Sequence, residues 1–282
     1  MLRMGNRDSA LNLPQLNSDY DPENGLTLNG YHIPPEIIVE ILQKLAPQYL
    51  LTARLVWKEW NELVIHVLYN NYNRKFEKQH TLETLPFDLC YFTQFSKRLN
   101  KNLLKNVNGQ NGFKHWNIIS NGGDGIVIES CPVGSDSLPS NVEEFNSHTS
   151  CFVTSYGLAH KVQEIAVSKD KYLSHIINKF KPDIYASEWV AARFDCGARY
   201  IMNIQIVCQG GRYITEKRIT HEEEQWQGSK WSKKEIIIQE YPDDVDTIVF
   251  EHYGQDRQFW KGHYGMKMAG AVVKLLLDTV KL

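Results

Sequence analysis

The sequence predicts a multi-domain α+β chain: a small all-α unit of three helices, a linker helix, and a larger all-β unit. Three observations carry this reading. Apolar residues recur at helical spacing between residues 33 and 68. From Phe87 onward, short alternating or apolar runs are separated by turns rich in Gly, Asn and Pro. That second texture shows no repeat of about 20–50 residues, which argues for a sandwich or barrel and against a propeller.

Composition narrows the function classes. Charged residues are 23% and hydrophobic residues 42%, the balance of an ordinary globular chain. A formal net charge of -2 gives no global electrostatic grip on nucleic acid or an anionic membrane. No apolar run is long enough to span a bilayer, and the opening MLRMGNRDSALNLPQ lacks the apolar core of a signal peptide. The five cysteines fall at 90, 131, 151, 196 and 208, with no C-x-x-C and no Cys/His cluster. Neither a disulfide framework nor a metal site is expected, and no cofactor motif occurs. Reduced thiols and the lack of a glycosylation sequon point to a cytoplasmic or nuclear setting.

Residues 1–28 are polar with isolated leucines and are expected to form a disordered arm. Pro34, Pro35 and Glu36 then open a helix, since Pro suits the first turn and an acidic residue favours it. Ile38, Ile41, Leu42 and Leu45 line one face, and Ala46-Pro47 ends it. A second helix is expected around Leu50, Leu51, Leu55 and Val56. A third carries Trp60, Leu63, Val64, Val67 and Leu68. Residues 29–73 therefore make a small helical core. It is either a cap on the next domain or a docking module whose spare apolar residues meet a partner helix. Residues 74–86 are charged, stop at Pro86 and are expected to form the linker helix.

In the β unit, 87–282, strands are expected at Trp116–Ile119, Gly125–Glu129, Glu164–Val167, Tyr200–Cys208, Glu235–Ile238 and Thr247–Glu251. One helix intrudes over Lys171–Lys179, with Leu173, Ile176 and Ile177 on one face and Pro182 closing it. The stretch Phe250–Met266 holds five aromatic residues around a Gly-Gln-Asp turn and Trp260-Lys261-Gly262. Tyr253 and Gly254 break the strand alternation, as a loop does. Trp offers a flat apolar face and one N–H, and Lys a charged donor, a pairing that suits a sugar. The plainer alternative is a strand-loop-strand around a buried Trp. The ten histidines are scattered. Asn121-Gly-Gly-Asp-Gly125 is not followed by Lys-Ser/Thr, which excludes a phosphate-binding loop. Glu222–Glu224 reads as a solvated face, and no motif asks for a glycosidase carboxylate pair.

Residues 33–63, IPPEIIVEILQKLAPQYLL followed by Arg54-Leu-Val56 and Trp60, resemble an F-box. From 87 to 282, Asn102-Leu-Leu-Lys-Asn106, Asn121-Gly-Gly-Asp-Gly125, Arg193-Phe-Asp195-Cys-Gly197, Gly254-Gln-Asp256 and Trp260-Lys-Gly262 occur in the order of the F-box-associated domain. That resemblance implies a jelly-roll, galactose-binding-like sandwich. It also implies a non-catalytic substrate adaptor of an SCF-type ubiquitin ligase. The helical part would bind the Skp adaptor, and through it the cullin and RING subunits, using Pro34, Ile37, Ile41, Leu50, Leu51, Val56 and Trp60. The sandwich would bind the chitobiose core of high-mannose N-glycans on misfolded glycoproteins, through Tyr156, Asp195, Phe259, Trp260 and Lys261. Two positions depart from the family: Phe259 stands where Tyr is common, and Tyr156 where Phe is common. The last residues, MKMAGAVVKLLLDTVKL, also diverge and read as a strand with an apolar end. A protein degron without sugar is the other ligand consistent with the resemblance.

Overall fold

A computed structural model describes residues 26–76, 85–99, 101–211 and 214–280. The expected arm up to residue 25 and most of the linker helix, 77–84, lie outside the described residues. The chain divides into two compact units at Phe95/Ser96.

The first unit opens with a short hairpin, β1 (Thr27–Leu28) and β2 (Tyr31–His32), and continues with α1 (Pro35–Lys44), α2 (Pro47–Ala53) and α3 (Lys58–Phe76). Proline sits in the first turn of both α1 and α2, where its missing N–H costs nothing. Ile38, Val39, Leu42 and Leu50 are buried, as are Leu63, Val64, Val67 and Leu68 of α3, and both α1 and α2 pack on α3. Leu55 and Val56 fall beyond the end of α2 and stay exposed. α3 runs past residue 73 to Phe76. Phe87–Phe92, where the β unit was expected to begin, forms a further helix, α4. Leu89 and Cys90 of α4 are buried, Phe87 takes the Arg54 guanidinium at 4.1 Å, and Lys75 reaches the Thr93 carbonyl. The apolar face of α4 thus belongs to the helical unit.

The second unit is a sandwich of two five-stranded antiparallel sheets. One has the order β10 (Ser232–Ile238), β7 (Asp183–Ala191), β12 (Lys267–Leu276), β5 (Cys151–Val153), β4 (Val127–Glu129). The other has β3 (Asn117–Asn121), β6 (Ala159–Ala166), β11 (Val245–Asp256), β8 (Ala198–Cys208), β9 (Ile214–Glu223). The expected inner helix is α5 (Lys171–Phe180). Asp170 caps it by accepting from the N–H groups of Tyr172 and Leu173, and Lys181 ends it in a left-handed conformation.

One correction concerns the strands. Tyr253 and Gly254 do not leave β11: Gly254 continues the ladder, paired with Ala159 and Tyr200. A Cβ at Gly254 would come within 2.7 Å of the Thr154 side chain, so the glycine marks a close approach and not a turn. The divergent tail forms the expected strand, β12, which lies inside its sheet between β7 and β5.

The Asn102-Leu-Leu-Lys-Asn106 motif is architectural. Asn102 donates to the Ala271 carbonyl at 2.7 Å and accepts from the Val273 N–H at 3.0 Å. Asn106 donates to the Gly112 and Lys114 carbonyls and accepts the Trp116 indole N–H on its own carbonyl at 2.9 Å. Trp116 stacks on His252 with ring centroids 4.8 Å apart.

His252 belongs to a buried polar cluster in the sandwich. Glu188 accepts from His252 Nδ1 and from the Tyr200 hydroxyl, both at 2.6 Å, and neither Glu188 nor Tyr200 is exposed. The ammonium of Lys161 sits 3.6 Å from the Trp116 ring centroid and 3.5 Å from that of Phe152. Burial pushes the His252 imidazole down to about 4 against the pull of Glu188, with Lys161 pushing the same way as burial. His252 is therefore neutral at pH 7, and its contact with Glu188 is a hydrogen bond and not an ion pair. As pH falls below the ordinary histidine value, the unfolded chain takes up a proton that the folded one refuses, so stability is lost. The expected loss from this residue is about 2 kcal/mol between pH 7 and pH 5, and it saturates below about pH 4. Urea unfolding of wild type and His252→Asn across that range checks this; parallel curves would refute it.

Candidate functional site

Four turns between strands meet at one end of the sandwich. They are residues 122–126, 154–158, 192–197 and 257–266. The first two interlock through backbone: a Cβ on Gly157 would lie 2.2 Å from the Gly123 nitrogen. Ser155 accepts from the Asp124 N–H at 3.0 Å and donates to the Gly262 carbonyl at 2.6 Å. Its own carbonyl accepts from the Asp256 N–H at 3.0 Å. His263 Nε2 lies 3.2 Å from the Asp124 carbonyl, which places its proton on that nitrogen.

The turn that carries Trp260 is shaped from beneath by Asp256. This residue is 1% exposed and accepts from the Phe259 N–H. Burial raises its carboxyl above the usual range, opposed by the N–H groups of Phe259, Gln258 and Trp260. Phe259 adopts φ +56 and projects outward. Phe259 and Trp260 are 67% and 41% exposed, so the buried-Trp alternative does not hold. Trp260 stands perpendicular to Tyr264, at 5.8 Å between centroids, and keeps 41% of its surface exposed. Lys261 is exposed beside it.

Asp195 joins this group through Arg193. Arg193 Nε donates to Asp195 Oδ1 at 2.7 Å, and its guanidinium carbon lies 4.9 Å from the Tyr264 ring centroid. Tyr156 comes in from the second turn, its hydroxyl 3.5 Å from Asp124 Oδ1. Trp260, Asp195 and Tyr156 are thus brought to one end by contacts through Tyr264, Arg193 and Ser155. The arrangement offers exposed aromatic rings, an ammonium, a carboxylate and hydroxyl groups, a set suited to an uncharged polyol. Sequence reasoning did not assign Arg193, Tyr264 or Asp256 to the site. The signal for Asp256 was present as an Asx-type turn, with Asp three residues before Phe259.

A separate cleft of about 430 Å³ is lined by Lys97, Arg98, Lys101, Lys105 and Lys169, with Glu164 as its acidic member. It shares no residue with the four turns, and a neutral ligand gains little from so many cations. Among the described residues no group of His, Cys, Asp and Glu has metal-site geometry, and no helix is long and apolar enough to cross a membrane.

In the helical unit the expected docking residues divide. Ile37, Ile41 and Val56 are 46%, 49% and 51% exposed, and Pro34 is also exposed. Leu51 and Trp60 are partly covered. Leu50 is 2% exposed and lies in the core of the helical unit. Tyr49, Leu55 and Trp57, which the F-box resemblance did not single out for docking, are exposed as well.

A family model described as the F-box associated region matches residues 94–275. The chain belongs to this family. The F-box-associated region so defined takes in all four turns. The mouse (Mus musculus) F-box only protein 6 is 31% identical over 264 residues, covering 88% of this chain and 84% of that protein. The human F-box only protein 44 is 28% identical, covering 88% of this chain and 96% of that protein. Among solved structures, the TmCBM61 module in complex with beta-1,4-galactotriose aligns with a TM-score of 0.40 at 12% identity, over 63% of this chain and all of that one. An overlay at that level carries no functional argument for the F-box-associated region.

Proposed function

We propose that this chain is the substrate-recognition subunit of an SCF-type ubiquitin ligase, and that its sandwich binds the chitobiose core of high-mannose N-glycans on misfolded glycoproteins. The observation that carries the reading is the exposure of Trp260 next to exposed Phe259 and Lys261, linked through Tyr264 and Arg193 to Asp195. Trp260 would stack on a sugar ring. Phe259 and Tyr156 would flank the N-acetyl methyl group. Lys261 would donate to hydroxyl or carbonyl oxygens and Asp195 would accept. The helical unit would present Ile37, Ile41 and Val56 to the Skp adaptor, and through it to the cullin and RING subunits. The chain would act in the cytoplasm as a non-catalytic receptor. Membership in the F-box-associated family and the similarity to F-box only proteins support the adaptor role. The missing hydroxyl at Phe259 is expected to weaken sugar binding by about 0.5–1.5 kcal/mol relative to a Tyr there.

Capture of a high-mannose glycoprotein on beads, with competition by free chitobiose, tests the reading. Trp260→Ala should reduce capture at least about tenfold. Skp co-purification and melting temperature should hardly change, because the side chain is exposed. A glycan-blind wild type that still co-purifies Skp would point to a protein degron. A large drop in melting temperature would make Trp260 a packing residue.

A further inference from the structure

A second aromatic pair stands next to Asp195 in the chain and across from it. Phe194 and Trp226 are 48% and 69% exposed, with ring centroids 6.3 Å apart and planes tilted by 53°. Neither gains the burial that normally justifies a large aromatic side chain. Trp226 also stands at φ +68, a left-handed backbone that a bulky residue adopts only where its surroundings impose it. Gln227 N–H closes the turn on the Glu224 carbonyl at 3.2 Å, and Gln225 donates to the Asp195 carbonyl at 3.0 Å. A Cβ on Gly228 would come within 2.7 Å of Ala192 Cβ, so the turn is seated against the Arg193–Asp195 segment. Phe194 is fixed in turn by its N–H, which donates to the Gly134 carbonyl at 2.8 Å. The exposed pair is therefore held in place and not left loose.

Arg193 joins this pair to the first site. Its guanidinium carbon lies 5.8 Å from the Phe194 centroid and 4.9 Å from that of Tyr264, which in turn edges Trp260. The result is one belt running from Trp226 through Phe194, Arg193 and Tyr264 to Trp260. One guanidinium N–H is engaged by Asp195, and the others remain donors for hydroxyl groups.

We propose that Phe194 and Trp226 form a second ring-stacking subsite, continuous with the Trp260 surface through Arg193, that takes a further sugar of the same glycan beyond chitobiose. This rests on the sugar reading given above. Two held, exposed aromatic rings beside a donor fork suit a pyranose ring, with its apolar face and equatorial hydroxyls. Nothing in the pair itself calls for a charged ligand.

The test compares two peptide-free probes, chitobiose and an intact high-mannose oligosaccharide, by titration calorimetry on the full chain. Wild type should bind the larger probe more tightly. Trp226→Ala and Phe194→Ala should each lower affinity for the larger probe about fivefold to tenfold and leave chitobiose within about twofold. Trp226→Asn, which tolerates the left-handed backbone, should behave as Trp226→Ala and guards against a folding artefact. Trp260→Ala should lose both probes. Unchanged affinity for the larger probe in the Trp226 and Phe194 variants would overturn the subsite. So would equal loss of both probes. Wild type binding neither probe would overturn the sugar reading itself, a result distinct from the other two.

Discussion

Glu188→Ala should cost the sandwich about 3–5 kcal/mol, the usual penalty for removing one member of a buried charged network. Glu188 has no exposed surface and accepts from both His252 and Tyr200. Burial pushes the Lys161 ammonium toward its neutral form, and Glu188 is the group that opposes this. Removing the carboxylate leaves the Tyr200 hydroxyl and the His252 N–H without an acceptor, and a buried lysine without a counter-charge. Glu188→Gln keeps an acceptor but not the charge, so it should cost less than alanine. Combining Glu188→Leu with Lys161→Met should recover only the part of the loss that comes from the lysine, because the Tyr200 hydroxyl and the His252 N–H still lack an acceptor. Urea unfolding of these variants reads this directly. A loss below about 1 kcal/mol for Glu188→Ala would mean that water reaches the cluster and solvates what remains.

Gly157→Ala is expected to be nearly as severe and to damage the site as well. The new methyl would sit 2.2 Å from the Gly123 nitrogen and 2.5 Å from the Gly122 carbonyl carbon. Those are backbone atoms of a turn that is itself tied down, so neither side can yield cheaply. Overpacking of this kind costs about 1–3 kcal/mol. Separating the two turns would also break the Ser155 contact with Asp124 and displace Tyr156. Gly211→Ala is the control. That glycine has positive φ but open space around it, so alanine there should cost only the backbone term, about 1–2 kcal/mol, and leave binding untouched. Full glycan capture by Gly157→Ala would show that the turns can part without consequence.

Much of this architecture is legible in the amino-acid sequence. α5 is readable because every local cue agrees: an Asp cap, apolar residues on one face, and a proline just past the end. β7 is not, because both of its faces are covered and the two-residue alternation that marks a strand disappears. β9 fails for the opposite reason, being an edge strand of largely polar residues. Gly254 misleads because a glycine that admits a neighbouring side chain looks the same in sequence as one that turns the chain. At the site, Phe259, Trp260 and Lys261 stand out because exposed aromatics beside a charge have few structural uses. Arg193 does not, since its value lies in joining Asp195, Phe194 and Tyr264, a relation that exists only in three dimensions. Leu50 is the converse case: an apolar residue of the helical run that serves the core.

The interlock of Gly122, Gly123 and Gly157 has a kinetic consequence. Turns pressed together through backbone atoms cannot close over a ligand, so a ligand meets a surface already in its bound shape. Such a surface loses little ordering entropy on association. Arrival would then be set by diffusion and orientation, and rim substitutions would act mainly on how long the ligand stays. For a receptor in a ligase, that residence time is the interval in which its cargo can be modified.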